Sequence, residues 1–203
     1  MTPRTAEQFE KIRKAKSEQI LMAALELFAT HGYHGTSISA IAKHAGISKG
    51  LLYNYFESKE SILIHLGEDY LEMIEQLMNP DHDEEITSQE MGKFIDSFFQ
   101  TLSQKKELWK LYFQLAVQPG VRQLIFHKLM ENEKFIQQKK LIFKYFKDRF
   151  DDPHCEMIFF SSLIRGFSFQ IVFSPEIIAQ KDIENFINKL KSTLMVEKTA
   201  MEN

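Results

Sequence analysis

At 203 residues the chain can bury a sizeable core and suits one domain, or a small domain fused to a larger one. A single cysteine, Cys155, excludes an intrachain disulfide and leaves a zinc site short of thiolates, and no uninterrupted apolar run reaches the roughly 18 residues of a membrane span. The net charge of −3 argues against a generic nucleic-acid binder until it is mapped: residues 1–56 hold seven Lys/Arg against four Asp/Glu, whereas residues 61–90 hold nine acidic residues and no Lys/Arg.

The first apolar segment, residues 20–29, follows Arg13, Lys14 and Lys16 but is broken by Glu26 and lacks a clean cleavage site. It reads as a helix rather than a secretory signal, and the expectation is a soluble, cytoplasmic protein with no membrane partner. Ile20, Ala24, Leu27 and Phe28 share one helical face. His31 and Gly32 mark the end, the glycine suited to a left-handed C′ position; Thr5 to Gln8 matches a capping box, so a start there is open, although residues 11–17 are too polar to gain much from packing.

Three elements follow. Ile38, Ile41, Ala42 and Ala45 give a second helix its apolar face, closed by Gly46. Ser48 caps a third, with Leu52 and Phe56 inward. Ser58 caps a long fourth, which runs through Ile62, Leu66, Tyr70, Met73 and Leu77 until Asn79 and Pro80 stop it. An acidic connection over 81–90 leads to helices predicted at 90–104, 106–117, 121–150, 154–173 and 182–196. No strand pattern, internal repeat or low-complexity tract interrupts them, so the fold class is all-α.

The short second helix, the turn at Gly46 and the short third helix form a helix-turn-helix over 37–56. With Leu52 and Phe56 inward, Lys49, Gly50, Tyr53 and Asn54 lie on the outer face, with Ser48 at its tip. Such a face suits DNA: Ser48 and free N–H groups can meet phosphate, Gly50 lacks a side chain that would hold the helix away, and Tyr53 carries a donor on a rigid ring. A glycine-turned helix pair also occurs in proteins that never touch DNA, so spacing alone leaves DNA binding and plain packing both open.

Residues 36–60, TSISAIAKHAGISKGLLYNYFESKE, together with Ile20, Leu21, Ala23, Ala24, Leu27, Phe28, Gly32 and Tyr33, resemble the DNA-binding signature of the TetR family of bacterial regulators. The resemblance fades after about Ile74 and places a DNA-binding domain at 14–74. It implies a homodimer of about nine helices per chain, helices one to three reading double-stranded DNA and the helical remainder, 75–203, sensing a small molecule and dimerising. Carried over by position, Ser37 and Ser39 would meet phosphate, and Ser48, Lys49, Gly50, Leu51, Tyr53, Asn54 and Tyr55 would face the groove. Lys59 would touch the DNA backbone from the start of the fourth helix. The chain departs from the family at Leu51, where a small hydroxylic residue is common, and at Tyr55, where histidine is. Leu51 cannot hydrogen-bond a base edge, which directs it to a thymine methyl.

Fifteen of the eighteen phenylalanines fall between Phe94 and Phe186. Candidates for an apolar effector pocket are Tyr70, Met73, Phe98, Leu102, Trp109, Phe113, Phe126, Met130 and Phe143; core packing is the better account of any single one, whereas for the region as a whole the resemblance implies a cavity. Arg165, in an apolar stretch, could bind an effector carboxylate, pair with an acidic group or reach solvent at a dimer edge. Ser162, Gly166, Phe169 and Phe173, with Ile183, Phe186, Ile187, Leu190 and Leu194, form the candidate dimer surface. A two-fold dimer spaces its recognition helices by about 34 Å or a multiple, which predicts a roughly palindromic operator. With the resemblance, the expected function is a repressor released from that operator by a small hydrophobic or aromatic effector. The alternative is a protein of the same fold that acts through protein partners without an effector. Walker-type, H-E-x-x-H, G-x-S-x-G and dinucleotide motifs are absent, so neither an enzyme nor a metal or cofactor is expected.

Overall fold

The computed structural model describes residues 5–79, 81 and 83–195. Among them there are ten α-helices, one 3₁₀ turn at Pro175–Ile177 and no strand. The helices are α1 Ala6–His31, α2 Ile38–His44, α3 Lys49–Tyr53, α4 Lys59–Met78, α5 Ser88–Gln104, α6 Lys106–Ala116, α7 Val121–Leu129, α8 Glu133–Lys147, α9 Pro153–Phe173 and α10 Gln180–Leu194. Pro80, read as the stop of the fourth helix, and residue 196, read as the end of the last, lie outside the described residues.

The helix boundaries differ from expectation at one point. The helix predicted over 121–150 is two helices, because the Asn132 side chain accepts the Phe135 N–H at 3.3 Å and starts a new one. The polar opening of α1 forms through the capping box between Thr5 and Gln8 and the Glu7–Lys11 ion pair one turn on. Gly32 ends α1 with φ 81, but its ψ of 149 is extended rather than left-handed helical.

The chain divides into two compact units. The first runs up to Asp69 and includes Leu111–Leu129; the second comprises Tyr70–Lys110 and the chain from Met130 onward. This differs from a single cut after residue 74: the end of α6 and all of α7 group with the N-terminal helices, while α4 and α6 each run from one unit into the other.

The core of the first unit is built on Ile20, Ala24, Leu25 and Phe28 of α1, met by Ile41, Leu52, Phe56, Ile62 and Leu63, all buried. Each fully buried large side chain contributes roughly 1.5–3 kcal/mol. α4 approaches α7 closely at Gly67, where a Cβ would lie 2.8 Å from Ile125 Cγ2. In the second unit α5 packs against α9 and α10, and α8 against α9. By length and composition α9 would suit a membrane span, with a mean hydropathy of 1.3. One of its faces, Phe160, Ile164, Ile171 and Val172, is instead buried in this packing.

Candidate nucleic-acid interface

Both short helices owe their starts to serines. Ser37 Oγ accepts the Ala40 N–H, and Ser48 Oγ accepts the Leu51 N–H, each at 3.1 Å. Capping uses a lone pair and leaves each hydroxyl its proton to donate. Between the helices Gly46 takes φ 65, and the Ile47 N–H returns to Ala42 O at 2.9 Å. From α1, Gln19 Nε2 donates to Ala45 O at 2.8 Å and Glu26 pairs with His44 at 2.6 Å, so the turn and the end of α2 are both fixed to α1.

The outer face of α3 is as the spacing predicts. Leu52 is buried, whereas Ser48, Lys49, Gly50 and Asn54 are exposed, as are Leu51 (37%) and Tyr53 (47%), large side chains with an apolar body in solvent. Tyr55 is half-buried, with Arg13 of α1 5.8 Å above its ring. Lys49 Nζ lies 5.9 Å from the Tyr53 ring. A Cβ at Gly50 would meet nothing within 4 Å, and its φ is not positive. A glycine inside a helix costs about 1 kcal/mol relative to alanine, and nothing within the protein requires this one. A side chain here would project from the exposed face of α3 into open space.

Lys59 departs from expectation. Its ammonium does not point outward; it donates to the carbonyls of Tyr33 at 2.7 Å, Thr36 at 2.9 Å and His34 at 3.5 Å, and lies 4.5 Å from the Tyr33 ring centroid. These acceptors match the three protons an ammonium carries. The corner they belong to, residues 32–36, is also held by Thr36 Oγ1, which donates to Gly32 O at 2.8 Å, and by Gln118, just beyond α6. The Gln118 amide accepts the Tyr33 N–H at 2.8 Å and donates to Phe28 O at 2.6 Å. Burial first, then the Glu60 carboxylate, pushes the Tyr33 phenol above its ordinary value.

Residues 20–66 match the family model of the bacterial regulatory proteins of the tetR family. The helix-turn-helix domain belongs to the bacterial tetR family. Over 80 residues the chain is 40% identical to the fatty acid metabolism regulator protein of Bacillus subtilis, a match covering 39% of this chain and 41% of that one. The chain spans less than half the length of the curated relatives it matches. Among solved structures it resembles NalD, the secondary repressor of the MexAB-OprM multidrug efflux pump in Pseudomonas aeruginosa, with a TM-score of 0.64 at 19% identity over 89% of this chain and 96% of that one. It also resembles the fatty acid degradation regulator FadR of Bacillus halodurans, with a TM-score of 0.59 at 21% identity over 93% and 97%. At these identities the likeness is one of fold.

Beyond the tetR-type domain the candidate residues divide. Tyr70, Phe98 and Trp109 come together in the second unit: Trp109 meets Phe98 edge-on at 5.1 Å and Tyr70 at 5.8 Å, with Leu102 buried nearby in sequence on α5. Met73 and Phe143 are half-buried, Phe143 beside His154 at 4.9 Å, and Met130 is exposed. Phe113 and Phe126 belong to the first unit, where Phe126 is exposed. Arg165 is exposed and turns back on its own helix, donating to Ser161 O and Oγ. A cleft of about 540 Å³ in the second unit has a mixed lining, with Asn79, Lys134, Gln138 and Lys144 beside Met78 and Leu141, and includes none of the ten candidates.

On α9, Ser162, Gly166 and Phe169 lie exposed and Phe173 half-buried, and a Cβ at Gly166 would meet nothing. Ile158, exposed at 66%, extends this stripe by one turn and escaped the sequence reading. On α10 the expectation needs correction. Leu190 and Leu194 are buried within the chain where α10 packs on α5, and Phe186 stacks on Phe167 at 3.9 Å, leaving Ile183 and Ile187 half-buried.

Proposed function

We propose that this protein is a sequence-specific DNA-binding transcriptional regulator that acts as a homodimer, its α3 face docking in the major groove of a palindromic operator. The observation that carries this reading is Gly50. An exposed helical glycine with open space around it, flanked by Lys49, Tyr53 and Asn54, supports close approach of a duplex to this face. Ser37, Ser39 and Ser48 would supply hydroxyl donors to phosphate, Leu51 a thymine methyl contact, and Tyr55 the edge of the footprint.

The exposed stripe of α9, residues 158, 162, 166 and 169, would form the two-fold interface, its small residues admitting close helix approach. A cytoplasmic repressor released by a small apolar effector accords with the aromatic content of the second unit. That two similar proteins are named for fatty acid metabolism and fatty acid degradation supports an apolar metabolite class. Release requires the effector to bind one dimer shape better than the other, typically by about 1–3 kcal/mol. The mutual packing of Tyr70, Phe98 and Trp109 favours a second reading, regulation through a protein partner without an effector.

Selecting duplexes from random DNA with the purified protein tests the first claim. A recovered inverted repeat supports it, and recovery of no preferred sequence at moderate salt overturns it. A thermal-shift screen separates the effector readings: stabilisation by apolar carboxylates or aromatics supports the first, and none across the screen the second.

A further inference from the structure

The corner between α1 and α2 is gripped from two sides. Lys59, the first residue of α4, holds it through ammonium-to-carbonyl hydrogen bonds to Tyr33, His34 and Thr36. Gln118, two residues past the end of α6, holds it with two hydrogen bonds of its side-chain amide, accepting from the Tyr33 N–H and donating to the Phe28 carbonyl. The two grips converge on one residue, Tyr33, whose N–H goes to Gln118 and whose carbonyl goes to Lys59. Thr36 follows three residues later, and Ser37, the cap of α2, comes next in the chain. These two side chains therefore hold the chain where it leaves α1 for α2, alongside the Gln19 and Glu26 contacts that fix the turn and the end of α2. Lys59 opens α4 and Gln118 follows α6, and each of these helices has residues in both units.

We infer that Lys59 and Gln118 are positioning residues for DNA docking, which set the presentation of α2 and α3 by holding the Tyr33 corner and make no phosphate contact of their own. This rests on the DNA-binding reading above. A lysine that neutralises a phosphate and a lysine that props a corner have different signatures. Removing the first lowers the slope of log K against log salt by about one, and arginine replaces it well. Removing the second lowers specific affinity at unchanged slope, and arginine fails, because a planar guanidinium cannot direct its donors at carbonyls arranged around a point. Gln118 acts the same way from a residue that carries no charge.

The test measures binding of the full chain to the duplex recovered by selection and to a random-sequence duplex of the same length, across a salt series, for wild type, Lys59→Arg, Lys59→Met, Gln118→Ala and Gln118→Glu. Affinity for the selected duplex should fall about tenfold in Lys59→Arg and Gln118→Ala. The random duplex should be bound by these two as in wild type, and the salt slope should be unchanged in all four. Gln118→Glu, which keeps the acceptor for Tyr33 and loses the donor to Phe28, should fall between wild type and alanine. Wild-type affinity in Lys59→Arg, or a slope reduced by one in Lys59→Met, would overturn the inference.

Hydrogen exchange at the Tyr33 amide gives a readout independent of DNA, and it should quicken in Gln118→Ala while amides of the α5 core keep their rates. An unchanged Tyr33 rate also overturns the inference. A wild-type protein that prefers no duplex would instead sink the functional reading, with the exchange experiment still reporting on the corner.

Discussion

The phenol of Tyr145 on α8 donates to the carbonyl of Leu194, in the last turn of α10, at 2.8 Å. The last carbonyls of a helix have no partner within it, and Leu194 is buried, so this hydroxyl satisfies a group that water does not reach. Tyr145→Phe should lower stability by about 1 kcal/mol in urea denaturation. Burial first raises the Tyr145 phenol above its ordinary value of 10.0, against smaller opposing effects of Ser88 and Arg149. The folded state then prefers the neutral phenol. The associated stability is complete below the unfolded value and declines as pH rises from there through the folded one. The phenylalanine variant should lose less stability than wild type over that alkaline range, and an equal loss would rule out this contribution.

Gly67 marks the close approach of α4 and α7. Gly67→Ala places a methyl 2.8 Å from Ile125 Cγ2 and should cost about 1–3 kcal/mol, although alanine is the better helix former. Ile125→Ala removes the obstructing atom. In the double variant the two effects should be non-additive, Gly67→Ala costing less in that background, and thermal unfolding of the four proteins completes the cycle. Simple additivity would mean that the two residues do not meet.

Tyr53 and Lys49 lie on the surface, so their loss should leave folding intact. Tyr53→Ala and Lys49→Ala should each weaken binding to the selected duplex by about 1–3 kcal/mol, with melting temperatures unchanged. Gly50→Leu should do the same by obstruction rather than by deletion. Wild-type binding in the Gly50 variant would remove the main support for docking on this face.

Ile158→Asp places a charge in the exposed stripe of α9. Sedimentation should show a monomer whose helical circular dichroism matches wild type, since Ile158 makes little use of the core at 66% exposure. DNA affinity should fall with the dimer, because each half-site alone offers half the contacts. A variant that sediments as a dimer would move the interface elsewhere.

The readings that the structure retained are those carried by short stretches of chain. Ser37, Ser48 and Thr5 each cap their own helix across three residues, and the inward set of Leu52 and Phe56 follows from a period of 3.6. The break at Asn132 was legible in the same terms, as a capping residue inside an apolar pattern, but the surrounding periodicity outweighed it. The placement of the Lys59 ammonium is not legible in the sequence, because a charged residue near a short exposed helix looks the same whether it faces solvent or a ring of carbonyls. The apolar stripe of α10 was assigned outward for a similar reason: periodicity shows that Leu190 and Leu194 share a face, but not which neighbour covers it.

By itself, then, the order of residues determined an all-helical chain, the start and end of the helix-turn-helix, and which of its side chains meet solvent, because caps and helical faces depend on neighbours within about one or two turns. Which partners occupy the remaining groups was decided by the tertiary structure alone. Gln118 reaches Tyr33 and Phe28 across 85 and 90 residues, and Tyr145 reaches Leu194 across 49. No local pattern encodes such pairs, since they exist only once the burial of apolar faces has brought distant backbone groups together and left them needing donors and acceptors.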